Sequence, residues 1–136
     1  MGNLFSLDAW MMVWHYKDTF ILGFLTTVQV SLISLLISLT LGLIFGLMAT
    51  SNKLSLQAIA RVYVEFIQNT PLLLQICFLY YALSFSGNGI GILASGIISI
   101  GLYHGAYMAE VIRAGIQSIH KGQFEAAQSQ GFDYFG

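Results

Sequence analysis

Residues 20–49 read FILGFLTTVQVSLISLLISLTLGLIFGLMA, without one Asp, Glu, Lys or Arg, and that run decides the fold. About 20 apolar residues in helix cross the roughly 30 Å hydrocarbon core of a bilayer. A helix over the whole run reaches about 45 Å, so it must tilt, bend or project beyond the core. Asp18 or Thr19 is the expected N-cap. The charge-free interval runs from Thr19 to Asn52, and a second one runs from Phe66 to Ala109. The second holds most of two further spans, divided by the turn-forming residues between Ser84 and Gly91. Three spans are therefore expected, at about 20–49, 58–83 and 92–119, the third crossing the lipid mostly by Ala109.

Composition agrees. The 136 residues are 57% hydrophobic and 8% charged, against about 25% charged in a soluble domain, so the solvent for most of the chain is lipid. Net charge is −1 with no basic run, which excludes nucleic acid as a partner. The single Cys77 lies in an apolar stretch, where it forms no internal disulfide and no metal site. No Ser-His-Asp, Cys-His or paired-carboxylate pattern and no phosphate loop is present, so neither catalysis nor a cofactor is expected of this chain. The N-terminus lacks the basic start and compact apolar core of a cleavable signal. Trp10 and Trp14, four apart with Met11 beside them, suit the headgroup layer. Leu7–Lys17 reads as an interfacial lead-in, which makes residues 1–18 an extracytoplasmic or interfacial segment and 19–136 the membrane domain.

Basic residues set the orientation. Lys53 and Arg61 flank the first loop, Arg113 and Lys121 follow the third span, and Lys17 stands alone on the other side. The positive side is cytoplasmic. The N-terminus is thus expected outside and the C-terminal segment inside, as three spans require.

Polar positions within the apolar runs are few. Thr27, Ser31, Ser34, Ser38 and Gly42 recur at helical spacing, with Gly46 continuing the stripe. Such a stripe is either a close-packing seam or a hydroxyl-lined path, and spacing admits both. Gly101, Gly105 and Ala109 form a second seam, with His104 pointing away from it. Pro71 has no amide hydrogen and frees the carbonyl of Ile67, so the second span should kink or break there. Broken membrane helices often border transport sites. Glu65, Gln68, Asn69, Thr70, Pro71 and Gln75 are accordingly the candidate substrate path. Arg61 with Glu65, and Glu110 with Arg113, are spaced to pair on one helix face.

Residues 122–135 are polar enough to leave the membrane and rich enough in Ala and Gln to form helix. Phe124, Ala127, Gly131 and Tyr134/Phe135 keep an apolar period, and Glu125 is expected in the first turn. The stripe suits a groove on a soluble partner or the membrane surface.

Two long stretches carry a resemblance. One is Gly105-Ala106-Tyr107-Met108-Ala109-Glu110-Val111-Ile112-Arg113-Ala114-Gly115-Ile116-Gln117-Ser118-Ile119, followed by Lys121-Gly122-Gln123-Phe124-Glu125-Ala126-Ala127; the other is Tyr63-Val64-Glu65-Phe66-Ile67-Gln68-Asn69-Thr70-Pro71-Leu72-Leu73. Together, in this order, they closely resemble the permease subunits of ATP-binding-cassette importers of polar amino acids, of the histidine, glutamine and arginine type. The similarity covers roughly Phe20 to Gly136. It implies an all-α, polytopic type I importer permease, with three transmembrane helices and the start of the coupling helix out of about five helices in the full family fold. It also implies a place in the bacterial cytoplasmic membrane and import of an amino acid. Gly122, Phe124, Glu125, Ala126, Ala127 and Gly131 then belong to the coupling helix that seats in a cytoplasmic ATPase. A second permease subunit, identical or sister, and an extracytoplasmic binding protein complete the set of partners.

His120 replaces the Pro that usually precedes Lys-Gly in the family, which leaves the start of the coupling helix less sharply fixed. Asn69 replaces a frequent Gly, leaving the break to Pro71. Family members continue beyond the position of Gly136, so the domain is expected to be incomplete at its C-terminus and not to transport alone. A truncated remnant and a small membrane scaffold or channel are the other readings.

Overall fold

Parallel alignment of two long helices sets the architecture. The computed structural model describes residues 7–85 and 89–132, the side chains of 7–9 and 84 excepted. In order come α1 (Leu7–His15), α2 (Lys17–Ala49), α3 (Leu54–Gln68), α4 (Leu72–Phe85), α5 (Ile92–Gln117) and α6 (Lys121–Ser129). No strand occurs among the described residues. Ser86, Gly87 and Asn88 of the expected turn cluster, and Tyr134/Phe135 of the tail stripe, lie outside the described residues.

Along α2 and α5 the partners climb together. Ser34 Oγ donates to the Ile97 carbonyl at 3.1 Å, Ile37 covers Gly101, Leu41 covers Gly105, and Gly42 and Gly46 receive Met108 and Ile112. Numbers rising together mean parallel axes, so α3 and α4 must carry the chain back. By length and composition α2 and α5 each cross a membrane, and α3 with α4, bent by 97°, pass the same test as a pair. The expected second span is therefore two helices rather than one rod.

The seams are packing seams. α2 buries Ser34, Ser38, Gly42 and Gly46; α5 buries Ser95, Ser99, Gly101, Gly105, Ala106 and Ala109. A Cβ built on Gly101 would stand 2.6 Å from Ile37 Cγ2, and one on Gly46 2.8 Å from Ile112 Cγ2. Backbones this close gain dispersion contacts that lipid cannot match. The upper end of the α2 stripe differs: Thr27 and Ser31 are exposed. Since Ile97 is level with Ser34, Thr27 lies beyond Ile92, where α5 begins. Its hydroxyl turns back to the Gly23 carbonyl at 2.9 Å.

α3 closes the core. Val64 and Ile67 pack on Ala106 and Ala109, with Phe45, Tyr63, Leu102 and Tyr103 around them. The Tyr63 ring stacks on Phe45 at 4.0 Å, and its hydroxyl donates to the Leu102 carbonyl at 2.8 Å. Outward lie Phe20, Leu22, Phe24, Leu32, Leu36 and Leu43, each more than half exposed. A face this apolar suits lipid and not water.

The start of α2 departs from expectation. Neither Asp18 nor Thr19 caps it; the helix begins at Lys17 after Tyr16, with no side-chain cap. The Tyr16 amide donates to the Met12 carbonyl and the Phe20 amide to the Tyr16 carbonyl, each at 3.2 Å. Because α1 runs almost directly into α2, there is little free helix start to cap. Trp10 and Trp14 are both exposed, and the Lys17 ammonium sits 4.7 Å above the Trp14 ring.

Two glycines of α5 should respond oppositely to a methyl group. Gly101→Ala overpacks against Ile37 and should cost about 1–3 kcal/mol. Gly96, with open space where a Cβ would stand, should gain about 0.5–1 kcal/mol on replacement by Ala, from helix propensity. Unfolding by titrated detergent in bicelles, followed by circular dichroism, checks both signs.

Candidate functional site

Three polar features stand out from the apolar framework, and the first is the elbow between α3 and α4. Pro71 removes the amide that would have met the Ile67 carbonyl. The structure supplies substitutes: the Thr70 amide at 3.3 Å and Gln75 Nε2 at 3.0 Å. Gln75 Nε2 also reaches the Thr70 carbonyl at 2.9 Å. Just before the break, Asn69 Nδ2 donates to the Glu65 carbonyl at 2.6 Å, and Thr70 Oγ1 donates to the Phe66 carbonyl at 2.7 Å. Unpaired carbonyls are costly away from water; Thr70 and Gln75 answer that cost, while Asn69 adds a second bond to a Glu65 carbonyl that already accepts the Asn69 amide.

This sorts the candidate path. Asn69, Thr70 and Gln75 face the backbone they stabilise. Gln75 is buried, one turn beyond Pro71, and clamps the bend. Its Oε1 is buried without a hydrogen-bond partner. Pro71 is exposed at the bend and Gln68 is half-buried. Glu65 is exposed, and it alone of the six lines the second feature.

That feature is a charged cleft of about 310 Å³ between α3 and α5. Ala49, Ala60 and Val64 form apolar wall; Gln57, Arg61, Glu65, Glu110, Arg113 and Gln117 supply polar groups. Arg113 grips Glu110 with two nitrogens, Nη2 at 2.8 Å and Nε at 3.3 Å, and its Nη1 donates to Gln117 Oε1 at 3.1 Å. The expected Glu110–Arg113 pair thus forms. The expected Arg61–Glu65 pair does not: Glu110–Arg113 is the one ion pair among the described residues. The order of charges gives a reason, since an acid four residues after its base is the weaker arrangement on a helix.

On the other side of α5 a groove of about 410 Å³ runs past Ser31, Ser34, His104 and Tyr107. The expected outward turn of His104 is seen: it is exposed, while Gly105 is buried. Cys77 is free and half-buried.

The third feature is α6. It contacts no other described helix, and every side chain on it is exposed apart from the half-buried Ala127. His120 starts it with φ −65° and ψ 138°, an angle that Pro would have fixed. The helix begins at Lys121, so Glu125 lies past the first turn rather than within it. Gly131 ends it at φ 87°. The Gly131 amide meets the Gln128 carbonyl at 3.0 Å and the Phe132 amide meets the Ala127 carbonyl at 3.1 Å, the paired closure of a Schellman cap. The helix therefore stops earlier than the expected 122–135. Phe124 and Phe132 are both more than half exposed.

Residues 38–136 match the family described as "Binding-protein-dependent transport system inner membrane component". The chain belongs to that family. Its α3, α4, α5 and α6 all fall within the matched part of this inner membrane component. The chain is 41% identical over 112 residues to the "Probable glutamine ABC transporter permease protein GlnP" of Bacillus subtilis, 82% of this chain and 51% of that protein. It is 35% identical over 109 residues to the "Probable amino-acid ABC transporter permease protein y4tG" of Sinorhizobium fredii, 80% of this chain and 47% of that one. A solved structure described as "Crystal structure of an amino acid ABC transporter with histidines" superposes with a TM-score of 0.83 at 35% identity, over 95% of this chain and 60% of that one. The chain spans about half the length of the curated relatives it matches.

Within this family member, sequence reading missed the Tyr63–Leu102 bond and the clamping role of Gln75. The spacing of Ala60, Val64 and Ile67 was the available signal for the buried face of α3.

The clamp is testable by a double-mutant cycle. Gln75→Leu should cost about 1–3 kcal/mol, the penalty of unsatisfied buried carbonyls. Pro71→Ala restores an amide for the Ile67 carbonyl, so Gln75→Leu should cost clearly less in that background. Equal costs in both backgrounds, read by detergent unfolding, would mean that Gln75 does not act on the break.

Proposed function

We propose that this chain is part of the permease subunit of an ATP-binding-cassette importer that moves a polar amino acid across the bacterial cytoplasmic membrane. The observation that carries this reading is α6: a short, defined helix with Phe124 exposed on it, joined to a membrane-crossing helix and contacting no other helix among the described residues. A helix of this kind is built to be held by a partner. Similarity to glutamine and amino-acid permeases supports the class of cargo.

In this reading the partner is the cytoplasmic ATPase. Gly122, Phe124, Glu125, Ala126, Ala127 and Gly131 form the contact: Phe124 seats in a cleft, Ala126 and Ala127 allow close approach, and Gly131 fixes where the chain leaves. Ser118, Ile119 and His120 alone separate α6 from α5, so displacement of α6 is passed to α5. The packed Gly42–Met108 and Gly46–Ile112 contacts pass it on to α2. A second permease subunit, identical or sister, completes the path, and an extracytoplasmic protein delivers the amino acid. The N-terminus lies outside and α6 inside. Glu65 borders the path, while Gln68, Asn69, Thr70, Pro71 and Gln75 shape the elbow beside it.

In the full-length permease co-expressed with its ATPase, Glu125→Lys should abolish co-purification of the ATPase and cut ATP-driven uptake at least tenfold. Undiminished coupled uptake in that variant would overturn the assignment. For orientation, Ser129→Cys in a Cys77→Ser background should react with a membrane-impermeant thiol reagent only after the cells are permeabilised. Labelling of intact cells would place α6 on the wrong side.

A further inference from the structure

The charges of the α3–α5 cleft are unevenly committed. Glu110 and Arg113 neutralise one another, and Arg113 also holds Gln117. Arg61 and Glu65 line the same cleft, and neither has an ion-pair partner among the described residues. They stand one helical turn apart, about 5–6 Å between Cβ atoms. A lone anion would meet Arg61 and leave Glu65 unmatched, and a lone cation would do the reverse. Within a membrane-spanning segment an unmatched charge is expensive. A zwitterion matches both at once, because its ammonium and oxyanion sit a few ångströms apart on one small molecule. Gln57 offers a neutral amide beside them. The volume of about 310 Å³ falls at the small end of ligand sites, which suits a molecule the size of a free amino acid or a lipid headgroup.

We propose that the α3–α5 cleft is a binding site for a small zwitterion, with the oxyanion on Arg61 and the ammonium on Glu65. The inference rests on the permease reading for its setting, a membrane complex with an ATPase. The Glu110–Arg113 pair forms the far wall, with its own charges already balanced. This wall belongs to the last turns of α5, close before α6, so an occupant bridges α3 to the helix that leads into the coupling segment. The same chemistry has two sources, a free α-amino acid or the ethanolamine headgroup of a phospholipid.

The test uses the full-length permease with its ATPase in nanodiscs, without any binding protein. In discs of phosphatidylglycerol and phosphatidylcholine, equilibrium binding of radiolabelled L-glutamine is measured. Competition with glutaramate, which lacks the ammonium, and with 4-aminobutanamide, which lacks the carboxylate, follows. In a second arm the complex is extracted from membranes rich in phosphatidylethanolamine, and retained lipid is read by native mass spectrometry. We expect one arm to give saturable occupancy, weakened at least tenfold by Arg61→Gln and by Glu65→Gln. Arg61→Lys should retain most of it, and His104→Ala, on the opposite groove, should leave it unchanged. L-Glutamine bound and not displaced by either half-molecule identifies the amino acid as occupant; retained lipid lost in the same variants identifies the headgroup.

No occupancy in either arm overturns the proposal, as does occupancy indifferent to both Gln variants or displaced by one half-molecule alone. If Arg61→Gln fails to assemble with the ATPase, the half-molecule competition or the Arg61→Lys lipid retention still decides. ATP-driven uptake in proteoliposomes separates the two readings. Uptake without occupancy sinks the cleft and leaves the permease; occupancy without uptake does the reverse.

Discussion

Close approach of two parallel helix backbones is the constraint on which the rest of this structure depends. α2 and α5 meet through serine, glycine and alanine, and large side chains from one helix lie where the other has none: Ile37 over Gly101, Met108 over Gly42. Lipid removes the hydrophobic driving force that would hold such helices together in water, so fit and dispersion must serve. Parallel alignment then dictates the return path. The chain leaves the end of α2 and must begin α5 beside the first half of α2, just past the level of Thr27, and α3 with α4 provide that return.

The return path is where polarity concentrates. An uninterrupted helix would have needed no side-chain help, but Pro71 interrupts it, and Asn69, Thr70 and Gln75 each donate to a carbonyl at the bend. The charged cleft begins a turn earlier on the same helix, with Glu65 giving its backbone to the elbow and its carboxylate to the cleft. Elbow and cleft are therefore mechanically joined. Val64 and Ile67, on either side of Glu65, pack on Ala106 and Ala109 of α5, which holds Glu65 beside Glu110 and Arg113 in the cleft.

Much of the fold was legible because membrane helices advertise themselves by length and missing charge. The bounds of the long helices came within a few residues, and the small-residue seams were read at the right positions from Ser34 onward. The break at Pro71 followed from one missing hydrogen, and the candidate coupling helix was legible as a polar, Ala-rich stretch after the last span. Less legible were contacts that depend on which distant residue is a neighbour. Nothing in the spacing said that the Tyr63 hydroxyl would find Leu102, or that Gln75 would turn back to Ile67. Arg61 and Glu65 had the right spacing to pair and did not, because spacing permits an ion pair without requiring one. The N-cap at Asp18 failed for a related reason: a cap is needed only where a helix starts afresh, and α1 runs straight on.

The sharp bend carries a further geometrical consequence. At 1.5 Å per residue, α3 and α4 are rods of about 22 and 21 Å, each too short for a hydrocarbon layer of roughly 30 Å. With each leaning by half of the 97° bend, their combined height is about 29 Å, close to that thickness. The same tilt throws the vertex about 16 Å sideways from the line joining the two outer ends. Irregular backbone in a hydrocarbon layer does not rest against acyl chains, and Asn69 and Pro71 at this corner are exposed. The exposed edge of the corner calls for cover by more protein or wetting from a cavity, while its inner edge, with Ile67 and Gln75 buried, is already closed by the chain itself.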